Sequence, residues 1–122
     1  LIFLGDIVDR GDEPFECMFF LNKVKNKILI KGNHDESFLQ YISTGYDALN
    51  NQHGSNITKL LWQGPNYEFQ RKEIISFRKS QSEYFIDEQN NSFVHGGFDK
   101  DYLIEYQVGS GTLFKYFLGL HI

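Results

Sequence analysis

Three short stretches of the chain each combine an apolar run with side chains that could bind a metal or a phosphate. They read LIFLGDIVDRG, ILIKGNHD and SFVHGG, and their polar side chains are Asp6, Asp9, Arg10, Asn33, His34, Asp35 and His95. Carboxylate, amide and imidazole groups form a mixed O/N donor set, which suits borderline divalent ions such as Mn, Fe or Zn better than Ca. The sequence therefore predicts a metal site with an arginine beside it.

Asp6 is the carboxylate that directly follows the first apolar run. Its two oxygens could bridge a pair of metal ions on the order of 3.5–4 Å apart, an arrangement that activates a water and clamps a phosphoryl group. We expect Asp6 to be the deepest of these side chains.

The apolar runs are predicted to be strands. Leu1–Leu4 is continuous and precedes a glycine, which is typical of a strand covered on both faces in an α/β fold. Asp12 is expected to cap a helix that has Pro14 in its first turn and ends near Asn26. Residues 28–30 repeat the apolar run, so strand, helix and strand are predicted to form a βαβ unit.

The crossover in a βαβ unit makes its two strands parallel, so their carboxyl ends lie at the edge of the sheet where open α/β folds bind ligands. Asp6 and Asn33 are therefore expected to lie close together although they are 27 positions apart. A hairpin is predicted further on, with strands at Tyr84–Ile86 and Ser92–Val94, and its second strand ends at His95.

Residues 43–82 are predicted to form a helical excursion beside this edge of the sheet, with a helix from about Phe69 to Lys79. Aromatic side chains in or near the excursion could line a substrate cleft; they are Tyr41, Tyr46, Trp62 and Tyr67.

The composition argues against several classes of protein. The 122 residues fit one domain, 1–122, and the 41% hydrophobic content excludes a disordered chain. The net charge of −4 comes from interspersed acidic and basic side chains, so nucleic acid is not an expected partner. The longest apolar run, 17–21, is too short to cross a bilayer, so no membrane partner is expected. The lone Cys17 is expected to be a buried thiol in a reducing compartment, which favours the cytoplasm.

GDIVDRG, GNHD and VHGG, in this order, resemble the second, third and fourth motifs of the calcineurin-like metallophosphoesterase superfamily, in the branch of serine/threonine protein phosphatases and dinucleoside tetraphosphatases. The resemblance extends from Leu1 to about Asp99. It implies an α/β fold of the α+β sandwich type, with a metallophosphoesterase-like sheet that is flanked by helices and is incomplete here. It also implies two divalent metal ions, with Mn as the first choice and Fe or Zn as alternatives.

The resemblance also implies a role for each matching residue. Asp6 would bridge the two metals, and Asn33 and His95 would bind the second one. Arg10 would hold the phosphate oxygens of the substrate, a role that suits its planar fork of donors.

His34 would protonate the leaving oxygen, and Asp9 would orient His34 and raise its pKa. Asn33, like Arg10 and His34, would contact the substrate. Asp35 takes the place of a less critical acidic residue.

The resemblance is incomplete. The family's first strand, which ends in D-x-H, is missing before Leu1, and its later histidines are missing before Ile122. The segment TLFKYFLGLHI stands near the place of a Leu-Trp-Asp-Arg stretch of related bacterial phosphatases. We therefore expect a domain truncated at both ends, with three protein ligands for two metals, which binds metal weakly and could be inactive.

Three functions remain open. The leading one is a phosphatase of the serine/threonine type, which hydrolyses phosphomonoesters of a phosphoprotein or a small molecule by in-line attack of a hydroxide activated by the metal pair, without a phosphoenzyme. A dinucleoside tetraphosphate hydrolase is the alternative within the same family. The third is a non-catalytic relic or binding module that lacks a complete metal site. The sequence does not indicate an oligomeric state.

Each side chain taken alone has a plainer interpretation. Asp6 and Asp9 could be turn residues, Arg10 a surface ion-pair partner, and His34 and His95 ordinary loop histidines. Two further histidines lack the context of the motifs, and we interpret them as a solvated loop residue and a packed or frayed terminal residue; they are His53 and His121.

Overall fold

The computed structural model of the chain describes residues 1–97. This part has the mixed α/β architecture that the sequence predicts, with four helices and two sheets. Its elements are β1 (Ile2–Phe3), α1 (Pro14–Lys23), β2 (Ile28–Ile30), α2 (Asn33–Thr44), α3 (Ser55–Leu61), α4 (Glu68–Ser80), β3 (Gln81–Ser82), β4 (Phe85–Ile86) and β5 (Ser92–Phe93).

The larger sheet is parallel, with the strand order β1-β2-β3. Ile2 pairs with Ile28 and Leu29 pairs with Gln81. The predicted parallel arrangement of the first two strands is therefore confirmed. The third strand was not predicted, because its two residues are polar and carry no apolar pattern.

The smaller sheet is the predicted hairpin. β4 and β5 pair antiparallel, with Phe85 opposite Phe93 and their ring centroids 6.0 Å apart. The Asp87 carboxylate accepts hydrogen bonds from the backbone N–H groups of Gln89 and Asn91 and so closes the turn. The hairpin ends two residues before His95.

Helix α1 differs at both ends from the prediction. It begins at Pro14 as expected, but Glu13 rather than Asp12 is the capping residue, and its side chain makes no capping hydrogen bond. The helix ends at Lys23, three residues before Asn26, because Val24 adopts an extended conformation with ψ of 126°.

The core lies between the larger sheet and the helices. Phe15 of α1 packs edge-on against Phe38 of α2 at 6.0 Å between ring centroids. Helices α1 and α4 are linked by the amide of Asn22, which donates to the backbone carbonyl and to the carboxylate of Glu73. The buried apolar cluster consists of Val8, Phe15, Met18, Leu21, Leu29, Phe38, Ile74 and Phe77.

Two burial predictions are wrong. The first run is not covered on both faces, since Leu1 is 63% and Leu4 49% exposed. Within residues 1–97, β1 pairs only with β2 and is an edge strand. Cys17 is exposed rather than buried, because α1 turns Phe15, Met18 and Leu21 toward the core and Cys17 lies on the other side.

The excursion at 43–82 contains α3, α4 and β3. The predicted helix from Phe69 to Lys79 is confirmed as α4, with one more residue at each end. Helix α2 was not predicted, since its first turn, NHDE, is polar and gives no apolar pattern that would indicate the start of a helix. No helix in the described part is long and apolar enough to cross a membrane. The single domain 1–122 stays a prediction, because residues 98–122 lie outside the described part, as does His121.

Candidate metal and phosphate site

The predicted site residues meet where β1 and β2 end. Two glycines make this approach possible. A Cβ atom on Gly5 would lie 2.6 Å from the backbone nitrogen of Gly32, and a Cβ atom on Gly32 would overlap the Asp6 carboxylate. Because no larger residue fits at either position, these glycines allow the two strand ends to touch.

Asp35 holds the two strand ends together and is therefore not a minor acidic residue. Its carboxylate, 3% exposed, accepts hydrogen bonds of 2.9 Å each from the backbone N–H groups of Asp6, Ile7 and Gly32. Burial raises the pKa of Asp35 despite these bonds, which favour the ionised form. The position of Asp6 thus depends on a buried carboxylate 29 residues further along the chain.

Asp6, Asn33 and His95 form a compact trio. His95 Nδ1 donates a hydrogen bond of 2.7 Å to the carbonyl of Leu4, which turns Nε2 toward the other two residues. Nε2 lies 3.0 Å from Asn33 Oδ1 and 3.2 Å from Asp6 Oδ2. Three residues from three separate parts of the chain therefore present O, O and N donor atoms to one point.

The electrostatics of the trio favour positive charge at this point. Both oxygens that face His95 Nε2 are acceptors, so these two contacts are hydrogen bonds when the ring nitrogen is protonated. The hydrogen bond to Asp6 accordingly raises the pKa of His95. Partial burial acts to raise the pKa of Asp6, but the hydrogen bond and charge of His95 outweigh it and lower that pKa. Two oxygens and, once it is unprotonated, one ring nitrogen face a common point, and this donor set fits a borderline divalent cation.

The described residues contain no group of three His, Cys, Asp and Glu side chains arranged to hold a metal ion. The trio has two such side chains, and its third donor is the amide oxygen of Asn33.

Asp9 and His34 form a second pair next to the trio. His34 Nδ1 lies 2.6 Å from Asp9 Oδ2, and this hydrogen bond raises the pKa of His34. The backbone N–H of His34 donates to Asp6 Oδ1 at 3.0 Å, which ties the pair to the trio. The Asp9 side chain is only 3% exposed and that of Asp6 is 34% exposed, so Asp9 is the deeper carboxylate, contrary to expectation.

Thr58, on α3, contacts the same pair and was missed in the sequence. Its hydroxyl donates to Asp9 Oδ1 at 2.6 Å and accepts from the backbone N–H of Asp9 at 2.8 Å. A threonine inside a polar stretch far from the motifs carries no sequence signal of such a contact.

Arg10 lines a cavity of about 170 Å³, together with Asp6, Val8, Asp9 and His34. Arg10 is exposed, and no carboxylate within residues 1–97 forms an ion pair with it. The plainer interpretation of Arg10 as an ion-pair partner is therefore not supported in this part of the chain. Its free guanidinium can bind an anion in the cavity.

The loop before α3 packs against Arg10. Gly54 has a φ of +84°, and a Cβ atom there would lie 2.7 Å from Arg10 Cγ. His53, expected to be a solvated loop residue, is exposed, but its ring centroid lies 6.5 Å from that of His34 in a T-shaped arrangement. The excursion thus reaches the site through this loop.

The aromatic side chains proposed for a substrate cleft do not line this cavity. Trp62 packs against the core residues Phe15 and Phe38, with ring centroids 6.4 and 6.1 Å away. Tyr41 packs against the ammonium group of Lys59. The spacing of aromatic residues in the sequence does not distinguish residues that pack in the core from residues that line a substrate cleft.

The fold and the three motifs are those of the calcineurin-like phosphoesterase family. The chain belongs to that family, since the sequence model described as calcineurin-like phosphoesterase matches residues 1–116. A symmetrical bis(5'-nucleosyl)-tetraphosphatase from Marinomonas sp. (strain MWYL1) is 30% identical over 99 residues, which are 80% of this chain. The chain spans about a third of the length of that relative, 33%. No solved structure matches the chain.

Proposed function

We propose that the protein is a divalent-metal-dependent hydrolase of phosphate esters. The observation that carries this proposal is a cavity lined by Asp6 of the O/O/N trio, by the Asp9–His34 pair and by Arg10, which forms no ion pair within residues 1–97. Cation ligands, a proton donor and an anion-binding group are the three parts that such a hydrolysis needs.

The trio would hold the proposed metal ions: Asp6 would be shared between the two, and Asn33 and His95 would be ligands of the second. Mn is the first choice for both ions, and Fe or Zn also suit this donor set. Divalent ions supply the Lewis acidity that makes water a nucleophile at neutral pH and neutralises phosphate charge. Asp35 supports this function because it fixes the backbone of Asp6.

The remaining side chains act on the substrate. Arg10 binds the phosphate oxygens, and Asn33 and His34 contact the same group. His34 donates a proton from Nε2 to the leaving oxygen, because its Nδ1 is held by Asp9. The raised pKa of His34 keeps more of the ring protonated near neutral pH than in a free histidine.

Two substrate classes are supported by different observations. Phosphomonoesters, of a phosphoprotein or a small molecule, fit the single exposed arginine beside the trio. Dinucleoside tetraphosphates are favoured by the similarity of the chain to the Marinomonas tetraphosphatase. Turnover of a phosphopeptide, an aryl phosphate and a dinucleoside tetraphosphate by the full-length protein separates the two classes, and failure on all three leaves the non-catalytic relic.

The proposal is tested with Asp6→Asn in the full-length protein, which keeps the shape of the side chain and removes its charge. We expect manganese-dependent hydrolysis to fall by at least about 100-fold, since the bridging ligand loses its charge. Glu16→Gln, an equal charge change at an exposed position of α1, is the control and should leave the rate unchanged. Full activity in Asp6→Asn overturns the proposal.

The cytoplasm is the proposed location. The single cysteine supports it, because Cys17 cannot form a disulfide within this chain. Fractionation of cells that express the tagged full-length protein tests this location, and recovery in a secreted or membrane fraction contradicts it.

A further inference from the structure

We propose that Thr58 is a positioning residue for the Asp9–His34 pair, through which helix α3 sets the direction of the proton donor. This inference deepens the proposed function and rests on it for the catalytic consequence. The positioning itself can be measured without any activity.

Thr58 makes two hydrogen bonds to one residue that lies 49 positions away. Its hydroxyl donates to Asp9 Oδ1 and accepts from the Asp9 backbone N–H, at 2.6 and 2.8 Å. These two bonds fix both the backbone and the carboxylate plane of Asp9. The other carboxylate oxygen, Oδ2, is then held at 2.6 Å from His34 Nδ1.

The backbone of Asp9 needs such a restraint. Asp9 has a φ of +75° and Arg10 a φ of +64°. Residues other than glycine rarely adopt this left-handed backbone conformation. Such a conformation costs free energy and persists only where surrounding contacts over-determine it. The bond from the Asp9 N–H to the Thr58 hydroxyl is one of these contacts.

Burial makes the hydroxyl of Thr58 unusual. The residue is 1% exposed, and a buried hydroxyl is costly unless it is hydrogen-bonded. A valine would fill the same space without that cost, so packing alone does not require a threonine. The structure therefore links the hydroxyl to Asp9 specifically.

Ser55, one helical turn earlier on α3, provides a matched control. It is also buried, at 7% exposure, and its hydroxyl oxygen has no hydrogen-bond partner among the described residues. A variant that loses the Thr58 hydroxyl, which is bonded to Asp9, can thus be compared with one that loses the Ser55 hydroxyl on the same helix, which is not.

The first test is NMR of the full-length protein labelled with 15N-histidine, without added metal. We expect a slowly exchanging, low-field Nδ1–H resonance of His34 in the wild type, in Thr58→Ser and in Ser55→Ala. Thr58→Val should lose or shift this resonance because Asp9 can rotate. Thr58→Ala, which places no methyl group against the Asp9 carboxylate, serves if Thr58→Val does not fold. An unchanged resonance in a folded Thr58 variant without a hydroxyl overturns the inference.

The second test is kinetic and concerns the leaving group. A poor leaving group needs the proton and an activated one does not, so we expect kcat of Thr58→Val to fall about 10- to 100-fold on phenyl phosphate and less than about threefold on 2,4-dinitrophenyl phosphate. KM should stay within about twofold, and Thr58→Ser should restore the rate.

Equal losses on both esters contradict a positioning role. If the wild type hydrolyses neither ester, no phosphopeptide and no dinucleoside tetraphosphate, the proposed function fails, while the NMR result still decides whether Thr58 orients His34. If the wild type is active and Thr58→Val is equally active, the inference alone fails.

Discussion

His95 and Leu4, 91 positions apart, are joined by a hydrogen bond of 2.7 Å from the imidazole Nδ1 to the backbone carbonyl. This bond selects the ring orientation that points Nε2 at Asp6 and Asn33. It connects the hairpin of β4 and β5 to the end of β1, although the two sheets are not paired. A backbone carbonyl on the second ring nitrogen is a common way to orient a metal-binding histidine.

Replacement of His95 should therefore weaken metal binding. We expect His95→Ala to reduce the affinity of the full-length protein for Mn²⁺ by at least about 10-fold, because one of three donor atoms is lost. Isothermal titration calorimetry measures the affinity directly. Gln89→Ala, an exposed side chain in the turn of the same hairpin, should bind as the wild type does. Equal affinities of the two variants would show that His95 is not a ligand.

Replacement of Asp35 should destabilise the protein. An asparagine has one acceptor oxygen and would place an NH₂ group against backbone N–H groups that now donate to the carboxylate. We expect Asp35→Asn to lower the free energy of unfolding by about 1–3 kcal/mol, measured by urea denaturation. Asp12→Asn, at an exposed position, should change it by less than about 0.5 kcal/mol. A similar stability of both variants contradicts a structural role of the Asp35 carboxylate.

The sequence predicted the parts of the fold that have a local pattern. The apolar runs that form β1 and β2, and the hairpin of β4 and β5 with its polar turn, follow from pattern and turn chemistry. Convergence of Asp6 and Asn33 followed from the parallel arrangement of those strands. The limits of α1 were less accurate, since helix ends depend on a few backbone angles such as that of Val24.

The contacts between residues that are far apart in the sequence could not be predicted. Thr58 reaches Asp9 across 49 positions, and nothing in its own segment indicates a partner. The exposure of Cys17 depends on which side of α1 packs against α4, and the apolar residues of α1 allow more than one side. The role of Asp35 required the backbone N–H groups of two strand ends, which carry no sequence signal.

The loop before α3 gives a prediction about Arg10. An alanine at position 54 would be strained at a φ of +84°, and its Cβ atom would overlap the backbone nitrogen of Arg10 and press against Arg10 Cγ and Cα, at 2.7 and 2.8 Å. We expect Gly54→Ala to displace the guanidinium and to raise KM for a phosphate ester about 10-fold, the loss of one charge-assisted hydrogen bond.

Gly45→Ala is the matched control for this change. Gly45 has a similar φ of +81°, but a Cβ atom there meets nothing within 4 Å. Its replacement should cost about 1–2 kcal/mol of stability from backbone strain and leave KM unchanged. The same KM in both alanine variants would show that the loop does not position Arg10.

The central claim is that metal-dependent hydrolysis occurs at the trio of Asp6, Asn33 and His95. The most direct test measures the rate of p-nitrophenyl phosphate hydrolysis by the full-length protein with Mn²⁺, with a chelator, and after Asn33→Ala. We expect hydrolysis that needs Mn²⁺, stops with the chelator and falls by at least about 100-fold in Asn33→Ala. Hydrolysis that persists with the chelator, or that Asn33→Ala leaves intact, would contradict the claim.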